Sequence, residues 1–133
     1  MENWEKLIET ILGKDCERNR ENSIRFKEYL LKNLKLPVRV TGIEDFPWEE
    51  RYVIGGFSKK EYNEMKKDNP SYTDEFDLLD IQDPNEHDDC IGKIRRISDG
   101  KVFVFGLSWL DAIDEDSSSF ELLDTYSTWH CNY

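Results

Sequence analysis

A chain of 133 residues, 38% apolar and 13% aromatic, has the length of one domain and the material for a core, which argues against disorder. Its formal charge of −11 is uneven: Met1 to Thr73 holds 14 acidic and 14 basic residues, Asp74 to Asp124 holds 15 acidic and 4 basic, and Thr125 to Tyr133 holds neither. An acidic surface of that kind repels phosphate backbones and anionic lipid, so nucleic acid and membrane are disfavoured, while divalent cations and basic proteins are attracted.

In chain order, Trp4, Leu7, Ile8, Ile11 and Leu12 form one apolar stripe at helical spacing, with Asn3 to cap its start and Gly13 its end. A second helix is expected from Arg18 or Ser23 to Leu34, carrying Phe26, Tyr29, Leu30 and Leu34 on one side. After Pro37 the period changes, and Val38, Val40 and Ile43 alternate as in a strand. Glu44 to Glu50 is irregular, and Arg51 to Ile54 reads as a short strand closed by Gly55-Gly56. Ser58 and Glu61 make a capping box, which predicts a helix that turns Tyr62 and Met65 inward and stops at Asn69-Pro70.

Phe76 to Ile81 is a further strand, although Leu78-Leu79 breaks its alternation. Asp83 to Asp89 is an acidic loop. The segments Ile91 to Ile97 and Lys101 to Leu107 make the clearest hairpin, because Asp99-Gly100 supplies the positive φ of a tight turn. Trp109 to Ile113 is a last short strand. Ser118 and Glu121 form a second capping box before a helix that places Phe120, Leu123, Tyr126 and Trp129 against the core.

The expected fold is α+β: a small antiparallel, strongly curved sheet of about four to six strands, a partly open barrel. It has N-terminal helices, one inserted helix and a C-terminal helix. The whole chain reads as one domain, with a helical part at 1–36, a sheet part at 37–113 and a closing helix at 117–131. No apolar run approaches the ~18 residues that span a bilayer. The acidic start lacks an export pattern, and three cysteines (Cys16, Cys90, Cys131) read as reduced thiols, so the expected location is cytoplasmic.

Candidate chemistry centres on carboxylates. Asp80, Asp83, Asn85, Glu86, Asp88 and Asp89 could wrap a hard cation such as calcium, joined in space by Asp111, Asp114, Glu115 and Asp116. The spacing is not that of an EF-hand, because Asp88 stands where the turn glycine belongs. Solvation of the loop, and acids favouring a helix start at Asp114 to Asp116, are the competing accounts. His87, Cys90, His130 and Cys131 could in principle hold zinc, but adjacent His130 and Cys131 suit one metal poorly. A nucleophilic set would have to come from Ser108, Cys131, His130 and Asp111, and no nucleophile-elbow or phosphate-loop pattern surrounds them. Phe46, Trp48, Tyr72, Trp129 and Tyr133 fall in loops or near an end, where aromatics serve either interfaces or the closure of a small barrel.

Two stretches, Val40 to Gly56 around Phe46-Pro47-Trp48 and Asn69-Pro70-Ser71-Tyr72-Thr73-Asp74, resemble a small bacterial family of uncharacterised proteins. More distantly, the chain resembles the cyanobacterial-type calcium-binding proteins. The likeness lies in the helix ending Tyr29-Leu30 that leads through Leu36-Pro37 into a strand, and in Leu110-Asp111-Ala112-Ile113-Asp114-Glu115-Asp116 before a helix ending Trp129-His130. It covers about two-thirds of the chain, leaves the segment from Phe57 to Tyr72 without a counterpart, and aligns no calcium ligand residue by residue. The resemblance implies a barrel-like core flanked by helices and cation binding. The expected function is a small acidic, non-enzymatic binding protein with weak calcium affinity at Asp80, Asp83, Glu86, Asp88, Asp89, Asp111, Asp114 and Asp116. The alternative is an acidic, immunity-protein-like inhibitor or adaptor for a basic protein.

Overall fold

The computed structural model describes residues 3–54 and 58–133, and at 53 and 54 the backbone alone. Helix α1 (Asn3–Leu12) has Asn3 inside it rather than capping it, and it ends with the Gly13 N–H bonded to the Glu9 carbonyl. Helix α2 (Arg20–Asn33) is capped by Asn19, whose side chain accepts the Asn22 N–H. Phe26, Leu30 and Leu34 are buried, as their spacing requires.

Strand β1 (Val38–Gly42) leads through a 3₁₀ turn (Pro47–Glu49) into the short helix α3 (Glu50–Ile54). The strand expected at Arg51 to Ile54 is therefore helical. Four residues between turn signals carry too little periodicity to separate the two states. The glycine pair expected to close it lies outside the described residues. Helix α4 (Lys59–Asp68) starts at the predicted Ser58, whose hydroxyl accepts the Lys60 and Glu61 N–H groups. Tyr62 faces in, but Met65 is 42% exposed, because α4 lies on the outside of the fold and buries no residue.

The five strands form one antiparallel sheet in the order β4-β3-β2-β1-β5, with β2 at Glu75–Pro84, β3 at Cys90–Arg96, β4 at Val102–Gly106 and β5 at Leu110–Ala112. β4 and β5 are its two edges, so the sheet is open and the α+β class holds. The register shift between Leu78 and Asp80 resolves the broken alternation at Leu78-Leu79: Leu79 is the extra residue of a bulge. The hairpin stands where predicted, with Lys93 opposite Val104 and Gly100 at φ +75°.

Helix α5 (Ser118–Asn132) is capped by Ser117, one residue before the serine the capping box pointed to. Its Leu123, Tyr126 and Trp129 close the core with Ile8, Phe26 and Leu30 over the inner sheet residues Val40, Phe76, Leu78 and Ile94. The outer face carries a charged row in which Asp77 bridges Arg39 (3.0 Å) and Arg95 (3.1 Å) on the neighbouring strands. The loop aromatics mostly close the core. Phe46 and Trp129 are fully buried, Trp48 donates its indole N–H to the Pro70 carbonyl, and Tyr133 alone of the five is exposed.

Candidate functional site

The carboxylates of the acidic segment do not share one environment: Asp83 and Asp89 find separate partners, and Asp80 and Glu86 are exposed. Asp83 pairs with Lys27 on α2, which holds its carboxyl below the ordinary range. Asp80 lies exposed on β2 opposite Lys93, and Glu86 points to solvent beside His87. Asp88 adopts φ +60° in the turn, and its carbonyl accepts the Ser23 hydroxyl. Asn85 organises that turn by accepting the His87 and Asp89 N–H groups on its side-chain oxygen.

Asp89 has gone inside. Its carboxylate accepts the Ser108 N–H (3.1 Å), the Ser108 hydroxyl (2.7 Å) and the Tyr126 hydroxyl (2.7 Å), and it is 3% exposed. A Cβ at Gly106 would run into this carboxylate, so β4 must end in glycine for Asp89 to seat. The Tyr126 hydroxyl also accepts the Cys90 N–H (2.8 Å). Asp89 therefore ties the start of β3 to the 3₁₀ turn at Leu107–Trp109 and to α5. It lies at the floor of a cleft of about 500 Å³ walled by Pro47, Phe105, Trp109 and His130.

The other candidates in that cleft form no reactive set. The Ser108 hydroxyl is engaged with Asp89, and His130 Nε2 lies 3.2 Å from the His87 carbonyl. Cys90 is buried, with its thiol on the Ser23 carbonyl and pushed up to about 11 by burial, while Cys131 is exposed. His87, Cys90, His130 and Cys131 thus do not gather as zinc ligands. Among the described residues no group of three or more His, Cys, Asp or Glu side chains is arranged to hold a metal ion.

The corner between β5 and α5 is different. Asp111 lies between the buried Leu110 and Ala112, half-buried, and accepts the Ala112 N–H. The carboxyl of Asp124 on α5 lies near enough to act on it. Burial first, and the Asp124 charge second, push the Asp111 carboxyl up to about 7, and Glu115 adds to the effect. Asp114 instead shapes the turn, accepting the Asp116 N–H on its side chain and the Ser117 hydroxyl on its carbonyl; Glu115 and Asp116 are exposed. Of the residues singled out in the sequence, only Asp111 joins a carboxyl pair, and its partner Asp124 was missed. No signal in the sequence could have found the pair, because an acid between two core-facing residues of a strand is expected to point to the outer face.

No family model matches the chain, and no curated protein matches it in sequence. Its fold matches solved structures over nearly its whole length. One is the crystal structure of Anabaena CcbP, at 20% identity with a TM-score of 0.60, covering 97% of this chain and 89% of that one. Another is described as a calcium binding protein in the calcium-binding form, at 20% identity with a TM-score of 0.61, covering 98% and 91%. The distant resemblance read from the sequence is therefore present in the fold, and it extends well beyond two-thirds of the chain.

Proposed function

We propose that this chain is a small binding protein that takes up calcium weakly at the corner where β5 meets α5. The observation that carries the reading is the half-buried Asp111 carboxyl, with the Asp124 carboxyl near enough to act on it. Two neighbouring carboxylates repel each other when both are ionised, and either a proton or a cation relieves that repulsion. Calcium accepts six to eight oxygens in irregular cages; two carboxylates supply part of that set, and water completes it. Such a site fits affinities of about 10⁻⁵ to 10⁻³ M, with magnesium weaker because it demands octahedral geometry. The likeness in fold to proteins described as calcium-binding supports the same reading. Asp114 and Asp116 contribute field at this corner. Asp83 and Asp89 already have partners, Asp80 and Glu86 are exposed, and Asp88 is half-buried in its turn.

A binding role rather than catalysis is supported by Ser108 and His130, whose polar atoms are engaged elsewhere than with each other. The test is thermal unfolding with millimolar calcium against sodium chloride at matched ionic strength. Calcium alone should raise the midpoint, by mass action on the folded state. Asp111→Asn with Asp124→Asn should remove that difference, and Asp83→Asn with Asp88→Asn should keep it. Equal shifts from both salts would mean screening only and end the proposal.

One observation favours a second reading, an acidic inhibitor or adaptor for a basic protein. From Leu107 to Tyr133 the chain carries six acids and no lysine or arginine. Association steered by that charge would weaken steeply with salt, whereas calcium uptake would depend on it less.

A further inference from the structure

The two edges of the sheet are treated differently. β5 is three residues long, carries Asp111 and is covered by α5. β4 is five residues long, contains no charge, proline or bulge, and pairs only with β3. Exposed edges of this kind are normally blunted, because their free N–H and C=O groups invite another strand.

The register says which groups are free. The Arg96 N–H donates to the Lys101 carbonyl, so the hydrogen-bonded pairs of this ladder are Arg96 with Lys101, Ile94 with Phe103 and Gly92 with Phe105. The backbone groups of Val102, Val104 and Gly106 then point away from β3; the Gly106 carbonyl opens the 3₁₀ turn at Leu107–Trp109, and no described residue bonds those of Val102 and Val104. On the outer face the Val102 and Val104 side chains are 51% and 60% exposed.

We infer that β4 is a pairing edge whose occupant is a second copy of this chain, joined antiparallel about a two-fold axis at Val104. In that register Val104 meets its own copy and Val102 meets Gly106, so the outward backbone donors and acceptors of Val102 and Val104 find partners. Side chains also match: valine pairs with valine on one face, and half-buried Phe103 with Phe105 on the other. Electrostatics favours this edge over the other. From Cys90 to Gly106 the chain holds four bases and one acid, so this edge lacks the excess of acids found at the β5 edge in a protein of charge −11. Arg95, Arg96 and Lys101 are paired with Asp77, Asp99 and Asp68. The two-fold leaves the acidic β5 corners at opposite ends of a doubled sheet, roughly 40 Å apart at strand spacing and far beyond the Debye length. The area of one strand pair is small, so the dimer is weak, with Kd about 10⁻⁴ M at physiological salt.

Sedimentation equilibrium of the full chain between about 10⁻⁵ and 10⁻³ M tests this. The mass should climb from monomer toward dimer, and further when salt is raised to screen the net charge. Val104→Pro removes only an N–H that faces the open edge, a substitution edge strands accept. Val104→Lys places a charge at the two-fold. Both should stay monomeric over the range with unchanged near-ultraviolet circular dichroism. The lysine variant, at a position already 60% exposed, decides if the proline variant loses its signal. A wild-type chain that stays monomeric at the highest concentration overturns the proposal. So does dimerisation of wild-type strength in the folded variants, or a mass that grows past the dimer.

Discussion

The Tyr126 hydroxyl accepts from the Cys90 N–H and donates to Asp89, so one buried oxygen satisfies two groups that water cannot reach. Tyr126→Phe leaves an amide unpaired and takes a donor from a buried carboxylate. We expect it to lower unfolding free energy in urea by about 1–3 kcal/mol, with the calcium-specific shift intact. Asp111 gives a pH signature. Its folded-state carboxyl keeps a proton to about 7, above an ordinary 3.8, so folding takes up a proton between those values. Its contribution to stability is complete below the lower value and is lost as pH rises through the higher one. Urea midpoints of the calcium-free protein should therefore fall between pH 4 and pH 7 relative to Asp111→Asn; parallel curves would contradict the raised carboxyl. Asp89 could not be read as structural from the sequence. An acid before an apolar strand looks the same whether it turns to solvent or to a tyrosine one helix away.

Helix α4 buries none of its residues and is held by attachments at both ends. Ser58 caps its start, and Tyr62 donates to the buried Glu49, which also accepts the Ser71 hydroxyl and the Tyr72 N–H. At the other end Arg96, only 4% exposed, donates to the carbonyls of Lys66, Lys67 and Asn69 while pairing with Asp74 and Asp99. Arg96→Met should therefore speed amide hydrogen exchange in α4 far more than in β2. Equal acceleration in both would show that the arginine serves the sheet instead. Gly100 at φ +75° holds the β3–β4 turn, and Gly100→Ala should cost about 1 kcal/mol in the same urea measurement. The hairpin and α5 were legible because turn chemistry and a long stripe agree. The state of Arg51 to Ile54 was not, because so short a run fits either period. Neither Arg96 nor Glu49 could be singled out, since the partners that make them indispensable lie up to 30 residues away.

At the scale of the molecule, the fold class and the presence of an antiparallel centre were legible from alternation at Val38 to Gly42 and across the hairpin. The order of strands was not, because β5 returns to pair with β1 across most of the chain and no local signal encodes that closure. The charge of the segment Asp74 to Asp124 was counted correctly but its placement was not. Lys27, Arg39 and Arg95 reach in from other elements and pair with Asp83 and Asp77 of β2. At the β5–α5 end the chain carries six acids and no lysine or arginine between Leu107 and Tyr133. Raising pH from about 6 to about 8 should tighten calcium there, as the proton it displaces is lost. Titration calorimetry at the two values would check this, and an unchanged affinity would place the cation elsewhere.

The strand order has one more effect. With four bases and one acid in the hairpin at one end of the sheet, and six acids but no lysine or arginine in the segment that forms the other, charge is uneven across the strands. Near a cationic surface the molecule experiences a torque that brings the β5 end in first. Once adsorbed it presents β4 outward, so a layer held by its acidic end keeps the pairing edge free for the next molecule to arrive.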